Sequence, residues 1–124
     1  VNFGWLTLDT DDREFRRAVL HEFGHVLGLV HEYQNPNADI PWNKAAVIKL
    51  MSGPPNYWDQ RAIEMNLFAK VNIPAASYRQ YDPNSIMMLG AFDKSLFTEP
   101  FSIEANYELS ESDKSFIARL YPRQ

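Results

Sequence analysis

Three histidines lie within one short segment, from His21 to His31, and the chain contains no others. His21 and His25 are four residues apart. A helix would place them one turn apart on the same face, where both imidazoles can reach one ion. A catalytic zinc site takes three protein ligands and leaves a fourth position for water. The spacing therefore predicts a Zn²⁺ site whose ligands are His21, His25 and His31.

Glu22 follows the first of these histidines and has the chemistry of a general base. It neighbours the predicted ligands without being one of them. Zinc lowers the pKa of a bound water to about 7, far below its value in bulk water. A carboxylate within reach can take the released proton and pass it to a leaving amine. The sequence thus predicts hydrolysis by a zinc-bound water that Glu22 activates.

Gly28 explains how the third histidine can return to the site. On a straight helix, His31 would point well away from His21. Glycine readily takes a left-handed conformation and ends helices, so a break at Gly28 would let His31 swing back. A helical histidine taken alone is more often structural or exposed, but the pattern that includes Gly28 and His31 is far more specific than His-Glu-x-x-His.

A helical wheel places the apolar residues of this segment on the side opposite the histidines. They are Phe15, Val19, Leu20, Phe23, Val26, Leu27 and Val30. We therefore expect this apolar side to face the core and the histidines to face a cleft. Gly24 and Gly28 flank the histidine side and would allow a backbone or a substrate to approach closely.

The composition excludes several other classes of function. The 124 residues suit one domain, and the formal net charge is −4. Lysines and arginines are scattered, which argues against a nucleic-acid partner. No apolar run approaches the length of a membrane span. The chain has no cysteine, so a metal must be held by nitrogen and oxygen ligands.

Local patterns predict one strand and four helices. Residues 1–8 are apolar and β-prone, which predicts a strand. A helix should follow from about Asp12 to residue 27 or 29, with Asp11 and Glu14 as a capping box. The three later helices are expected at residues 42–51, 59–70 and 110–121. The final helix has Ser110 and Asp113 as its cap pair, and we expect loops over residues 90–107.

At residues 21–32 the sequence resembles the metzincin metallopeptidases, whose motif is HExxHxxGxxH. Glu32, directly after the third histidine, is similar to the astacin branch. The segment YDPNSIM at residues 81–87 resembles the astacin Met-turn, which would make Met87 the methionine beneath the zinc. The resemblance extends with lower specificity from Asn2 to near Tyr121.

This resemblance implies an α+β zincin fold with zinc at the base of a cleft. Residues 1–124 would form one catalytic domain, mostly helical, with a truncated N-terminal sheet. Family members cleave internal peptide bonds, and most are secreted and made as zymogens. The implied partners are a protein or peptide substrate and a propeptide or a missing N-terminal segment. The chain begins at Val1 without a signal peptide, and we interpret it as trimmed from a longer precursor.

Three departures from the astacin pattern bear on activity. Met88 and Leu89 stand where astacins usually carry His-Tyr, and that tyrosine contacts zinc or the transition state. The usual disulfides are absent, and residues 33–36 replace the charged pattern after the third histidine. Only about ten residues precede the first helix, so most strands of the upper subdomain are missing. These departures motivate two alternatives: a zinc-binding pseudoprotease that binds peptides, and a domain without metal.

Several other residues have a functional and a structural interpretation. Glu32 could orient an imidazole, meet a freed N-terminus as in astacins, or be a solvated surface acid. Three tyrosines could supply an oxyanion donor, although packing with the hydroxyl at the surface is favoured: Tyr33, Tyr78 and Tyr81. Helix packing is also favoured over a substrate pocket for Trp42, Tyr57 and Trp58. Helix capping is favoured over calcium binding for Asp9, Asp11 and Asp12.

Overall fold

A computed structural model describes residues 1–88 and 90–124 of the chain and shows a mostly helical fold. The helices are α1 (Asp12–Val26), α2 (Lys44–Ser52), α3 (Gln60–Ile63) and α4 (Glu111–Leu120). A π-helical turn, Glu64–Phe68, continues α3, and short 3₁₀ turns cover Glu32–Gln34, Ala75–Ser77 and Lys94–Leu96. None of the described helices is long and apolar enough to span a bilayer.

The two helices with the clearest caps form where the sequence predicts them. Asp11 accepts hydrogen bonds from the backbone N–H groups of Arg13 and Glu14 at the start of α1. Glu14 itself pairs with Arg17, so the predicted reciprocal capping box at this end does not form. Ser110 and the third residue of α4, Asp113, do form a capping box. Capping satisfies N–H groups that have no partner inside a helix.

The predicted strand at residues 1–8 is wrong, because this segment forms turns and is mostly exposed. A strand needs neighbouring strands for its hydrogen bonds, and the described residues provide none there. Isolated antiparallel bridges join Trp42 to Phe97 and Phe92 to Ile103. They are the only β-pairing within residues 1–88 and 90–124, so the expected sheet is reduced to these contacts.

The middle helices are shorter than predicted. α2 begins at Lys44, after Asn43 caps it, because the chain before it is held in the bridge to Phe97. The predicted helix over residues 59–70 begins at its expected cap, Asp59, but ends at Phe68 as the π-helical turn. π-Turns are frequently found at functional sites.

Two hydrophobic clusters form the core. The larger cluster lies among α2, α3 and the 3₁₀ turns, and its fully buried members include Tyr33, Val47, Leu67 and Met88. The smaller cluster lies between α1 and α4, and its buried members are Leu29, Tyr78, Ile86, Met87 and Phe116. The histidine segment therefore lies between two packed regions, which fixes its position.

The prediction that the apolar side of α1 faces the core is wrong. The side that faces the core carries Ala18, His21 and Gly24, which are buried. On the apolar side, Phe15, Phe23 and Val26 are 45%, 55% and 61% exposed. The apolar pattern marks the side that would gain from burial, but this chain covers the side with the small residues and the histidines instead.

Candidate metal centre

The three histidines of the sequence motif converge at one point. Their nearest ligand nitrogens all lie within 4.8 Å of one another, and Nε2 of His25 is 3.1 Å from Nε2 of His31. Tetrahedral ligands on bonds of about 2.0–2.1 Å are separated from one another by about 3.3 Å. His21, His25 and His31 could therefore hold a metal ion.

Backbone carbonyls fix the orientation of the two helical imidazoles. Nδ1 of His21 lies 2.8 Å from the carbonyl oxygen of Ile86, and Nδ1 of His25 lies 2.9 Å from that of Leu29. A carbonyl only accepts, so each Nδ1 carries the proton and each Nε2 presents a lone pair. Such contacts behind a ligand set its tautomer and ring orientation.

His21 provides a further test of whether a metal fits. Its Nε2 is buried and has no hydrogen-bond partner. A buried nitrogen without a partner is costly, and an ion at the centre of the three imidazoles would satisfy it. The donor set, three imidazole nitrogens with no thiolate, suits the metals that imidazole binds well, which are zinc, copper, iron and nickel.

Burial favours the neutral form of two of the imidazoles, those of His31 and His21. It lowers the pKa of His31 to about 3, with the nearby His21 and His25 adding to the shift. Burial also lowers the pKa of His21, although the hydrogen bond to Ile86 opposes it. Because only neutral imidazole binds a metal, the lowered pKa values favour binding.

Gly28 adopts the conformation that the sequence predicts. Helix α1 ends at Val26, and Gly28 has a φ of 95°, in the left-handed region where side chains are strained. Its N–H donates to the carbonyl of His25 at 2.9 Å. The backbone N–H of His31 then donates to Oε1 of Gln34 at 3.2 Å, which holds the returning segment.

Met87 packs directly against the helix that carries the first two histidines. It is fully buried, and its backbone carbonyl accepts a hydrogen bond from Glu32 N–H at 3.1 Å. A Cβ atom at Gly24 would collide with Met87 Sδ. Because Gly24 has no side chain, Met87 can pack closely against α1 at a position between His21 and His25 in the sequence.

Glu32 is fully buried, so its interpretation as a solvated surface acid is wrong. Its Oε2 accepts from Arg79 at 2.9 Å, and its Oε1 accepts from Asn35 Nδ2 at 2.8 Å and from Asp82 N–H at 2.9 Å. Burial raises the pKa of Glu32, and the Arg79 charge opposes that shift. All three contacts donate to the carboxylate, which favours its ionised form.

Arg79 was not predicted as a site residue, and Asp113 was predicted only as a helix cap. Arg79 is 5% exposed and Asp113 is fully buried. Burial disfavours the Asp113 carboxylate, but hydrogen bonds from Ile86 N–H, the Ser85 hydroxyl, Ser110 N–H and Arg79 outweigh it and lower its pKa. The only local signal was the cap pair Ser110 and Asp113, which says nothing about the distant arginine.

Glu22 lies one residue after His21 on α1 and is half-buried. It is close enough for its charge to raise the pKa of His21, against the larger effect of burial. Its Oε2 lies 3.9 Å from the amine of Val1, which is beyond hydrogen-bond distance. The carboxylate thus keeps acceptor capacity near the three imidazoles.

Most of these aromatic side chains pack, as favoured from the sequence, but the predicted packing of Tyr57 is wrong. The hydroxyls of Tyr78 and Tyr81 are buried, so their predicted position at the surface is also wrong. Tyr33 is fully buried, and its ring lies 5.8 Å from that of Trp42. Burial raises the pKa of the Tyr81 hydroxyl to about 12. Tyr57 is 70% exposed, whereas Trp58 lines a cavity of about 320 Å³ next to α2. Trp58 is therefore a predicted pocket residue that does border a cavity.

Two structures of myroilysin are similar to the chain, whereas no protein-family model and no curated protein matches it. One myroilysin structure matches 99% of the chain with 45% identity and a TM-score of 0.90. A crystal structure of myroilysin matches 98% of the chain with 44% identity and a TM-score of 0.57. The chain spans 59% and 53% of those two chains, and within that part it is similar to myroilysin in both sequence and fold.

Proposed function

We propose that the chain is the catalytic part of a zinc-dependent metzincin endopeptidase of the astacin-like branch, hydrolysing internal bonds of protein or peptide substrates. One observation carries this proposal: three imidazoles lie within 4.8 Å of one another. The backbone contacts that aim His21 and His25 at the shared point support it. The similarity to myroilysin supports a peptidase in particular.

His21, His25 and His31 would hold the zinc, and the ion would supply Lewis-acid chemistry. When bound, it polarises the scissile carbonyl and makes water a nucleophile near neutral pH. The chain itself supplies the geometry of the ligands. Gly28 turns the backbone so that His31 faces the two helical histidines, and Met87 supports α1 from the core side.

Glu22 is the general base of this proposal. Its carboxylate accepts the proton of the attacking water and then delivers it to the amine of the leaving peptide. Because the proton returns to a product, the carboxylate is regenerated after each cycle. Helix α1 holds Glu22 next to His21, so base and ligand keep a constant spacing. Proton transfer by a positioned group contributes about 10²–10⁴ to the rate.

The same proposal extends to the setting of the enzyme. Residues 1–124 would be one catalytic domain, and secretion follows from the resemblance to the astacin branch. A propeptide or a missing N-terminal segment would be a further partner of the domain.

A zinc-binding module without turnover is the second candidate function. Met88 and Leu89 stand where astacins carry His-Tyr, so the tyrosine that contacts zinc or the transition state has no counterpart in this sequence. Leu89 lies outside the described residues, and Met88 is buried. A peptide could then bind at the zinc without being cleaved. The experiment below separates this candidate from the favoured one.

The test compares wild type with Glu22→Gln after both are loaded with zinc. We expect one zinc per chain in each protein by elemental analysis, and cleavage of casein at least about 100-fold slower in the variant. Glu111→Gln is the matched control, because Glu111 is a distant, exposed carboxylate on α4 and should keep the wild-type rate. Cleavage by Glu22→Gln at the wild-type rate would refute the mechanism. Wild type that binds zinc but never cleaves would favour the binding module, and wild type without zinc would leave only a structural domain.

A further inference from the structure

A buried network of charged and polar groups lies behind the metal centre. We call Glu32, Arg79, Ser85 and Asp113 the buried network; three of them are fully buried and Arg79 is 5% exposed. Arg79 Nη2 donates to Glu32 and to Ser85, each at 2.9 Å, and Nη1 donates to Asp113 at 2.6 Å. The Ser85 hydroxyl donates to Asp113 at 2.7 Å. One guanidinium therefore joins three separate segments of the chain.

The buried network reaches the first histidine through a single residue. Asp113 Oδ2 accepts the N–H of Ile86 at 2.8 Å, and the carbonyl of Ile86 accepts Nδ1 of His21 at 2.8 Å. The Ser85 hydroxyl also accepts the N–H of Met87 at 2.9 Å. The carbonyl that orients His21 is thus held from both sides by groups of the network.

The buried network reaches the third histidine along the backbone. Glu32 follows His31 directly, and its carboxylate is fixed by Arg79 while its N–H donates to the carbonyl of Met87 at 3.1 Å. Glu32 is in this way tied to the same turn that carries Ile86. Movement of that turn would shift His31 and His21 together.

The charges of the buried network explain why its members depend on one another. One guanidinium faces two buried carboxylates, and Asp82 lies farther away at 3.9 Å from Arg79. Removing one member of a buried ion pair leaves the others without compensation, so the neighbouring backbone must shift or admit water. Such a shift would occur at residues 85–87, which support the ligands.

We propose that Arg79 and Asp113 are positioning residues of the metal centre, because they hold the Ile86 carbonyl and the segment after His31 where the three imidazoles can share one ion. This inference rests on the proposed zinc site. Groups that support metal ligands from behind typically change metal affinity by about 10–100-fold when altered. Arg79 and Asp113 touch no ligand directly and act through Glu32 and Ile86.

The first test is Asp113→Asn, which keeps the shape of the side chain but turns one accepting oxygen into a donating amide. That amide faces either the N–H of Ile86 or the guanidinium of Arg79, and both are donors. We expect the zinc dissociation constant, measured by chelator competition, to rise by about 10–100-fold. The visible spectrum of the Co²⁺-loaded protein should also change. Glu111→Gln, on the same helix, should alter neither quantity.

These two measurements separate positioning from a purely structural role. If the network only stabilised the fold, Asp113→Asn would lower the melting temperature while the folded protein kept its zinc affinity and its Co²⁺ spectrum. That result would overturn the inference. Zinc binding by wild type without peptidase activity would overturn the proposed activity and leave the positioning measurement valid.

Ser85→Ala provides a second variant if Asp113→Asn does not fold. It removes only the hydroxyl that joins Arg79, Asp113 and the N–H of Met87, so the two ion pairs of Arg79 remain. We expect a rise of about tenfold in the zinc dissociation constant, at the lower end of the range for supporting groups. An unchanged dissociation constant in Ser85→Ala would likewise overturn the inference.

Discussion

The contact between Gly24 and Met87 makes a sharp prediction about packing behind the metal ligands. A Cβ at Gly24 would collide with Met87 Sδ, and Met87 is fully buried, so its side chain has little room to move. We expect Gly24→Ala to destabilise the protein, although alanine normally stabilises a helix. The expectation concerns the free energy of unfolding, measured by urea denaturation of the metal-free protein.

Two opposing effects set the magnitude. Replacing glycine by alanine inside a helix gains about 1 kcal/mol. Inserting a methyl group into a packed core costs about 1–3 kcal/mol. Gly24→Ala should therefore lie between neutral and about 2 kcal/mol destabilising. In a Met87→Val background the sulfur is gone, so the same change should stabilise by about 1 kcal/mol.

The assay is a double-mutant cycle over wild type, Gly24→Ala, Met87→Val and the double variant. We expect a coupling energy of about 1–3 kcal/mol, which is the difference between the two expected effects and lies within the range of about 0.5–3 kcal/mol seen for residues in contact. Gly53→Ala is the matched control, because its Cβ would meet only backbone oxygens at 3.6 and 3.7 Å. Equal effects of Gly24→Ala in both backgrounds would refute the reasoning, since the clash would then not involve the sulfur.

Three further predictions concern the ligands and the turn between them. His31→Ala should sharply weaken zinc binding in equilibrium dialysis, and full occupancy in that variant would remove His31 from the ligand set. Zinc should stay bound as the pH falls through about 6.5, the ordinary pKa of histidine, because burial lowers the pKa of His31 to about 3 and also lowers that of His21. Zinc occupancy would be measured after dialysis at stepped pH values, and loss of zinc near pH 6.5 would contradict this prediction. Gly28→Ala should lower the free energy of unfolding by about 1 kcal/mol in urea denaturation, because Gly28 has a φ of 95°, which strains a residue with a side chain. A Cβ at this position would meet no atom within 4 Å, so backbone strain is the expected cause, and an unchanged free energy of unfolding would argue against it.

The local features of the fold could be predicted from the sequence because they depend on neighbouring residues. The caps of α1 and α4 and the positive φ of Gly28 follow from residues at most a few positions apart. The predicted strand at residues 1–8 failed because pairing depends on other strands. The start of α2 shifted because distant Phe97 pairs with Trp42.

In the candidate site, too, the features set by nearby residues could be predicted and those set by distant residues could not. The convergence of the three histidines could be anticipated from their spacing on and after one helix. The buried network could not, because Arg79 and Asp113 are 34 residues apart and charged side chains are normally exposed. The wheel of α1 identified its apolar side correctly, but the sequence does not say which side this chain covers.

The two sides of α1 have a thermodynamic consequence for metal binding. The inner side presents His21 to the point where the three imidazoles converge, while the outer side leaves Phe15, Phe23 and Val26 in water. Covering apolar area gains about 25 cal/mol per Å², so any surface that settles on the outer side would make the helix more rigid. Zinc would act on the same helix from within. If covering the outer side of α1 strengthens zinc binding, zinc binding must strengthen that covering by the same free energy, because linkage is reciprocal.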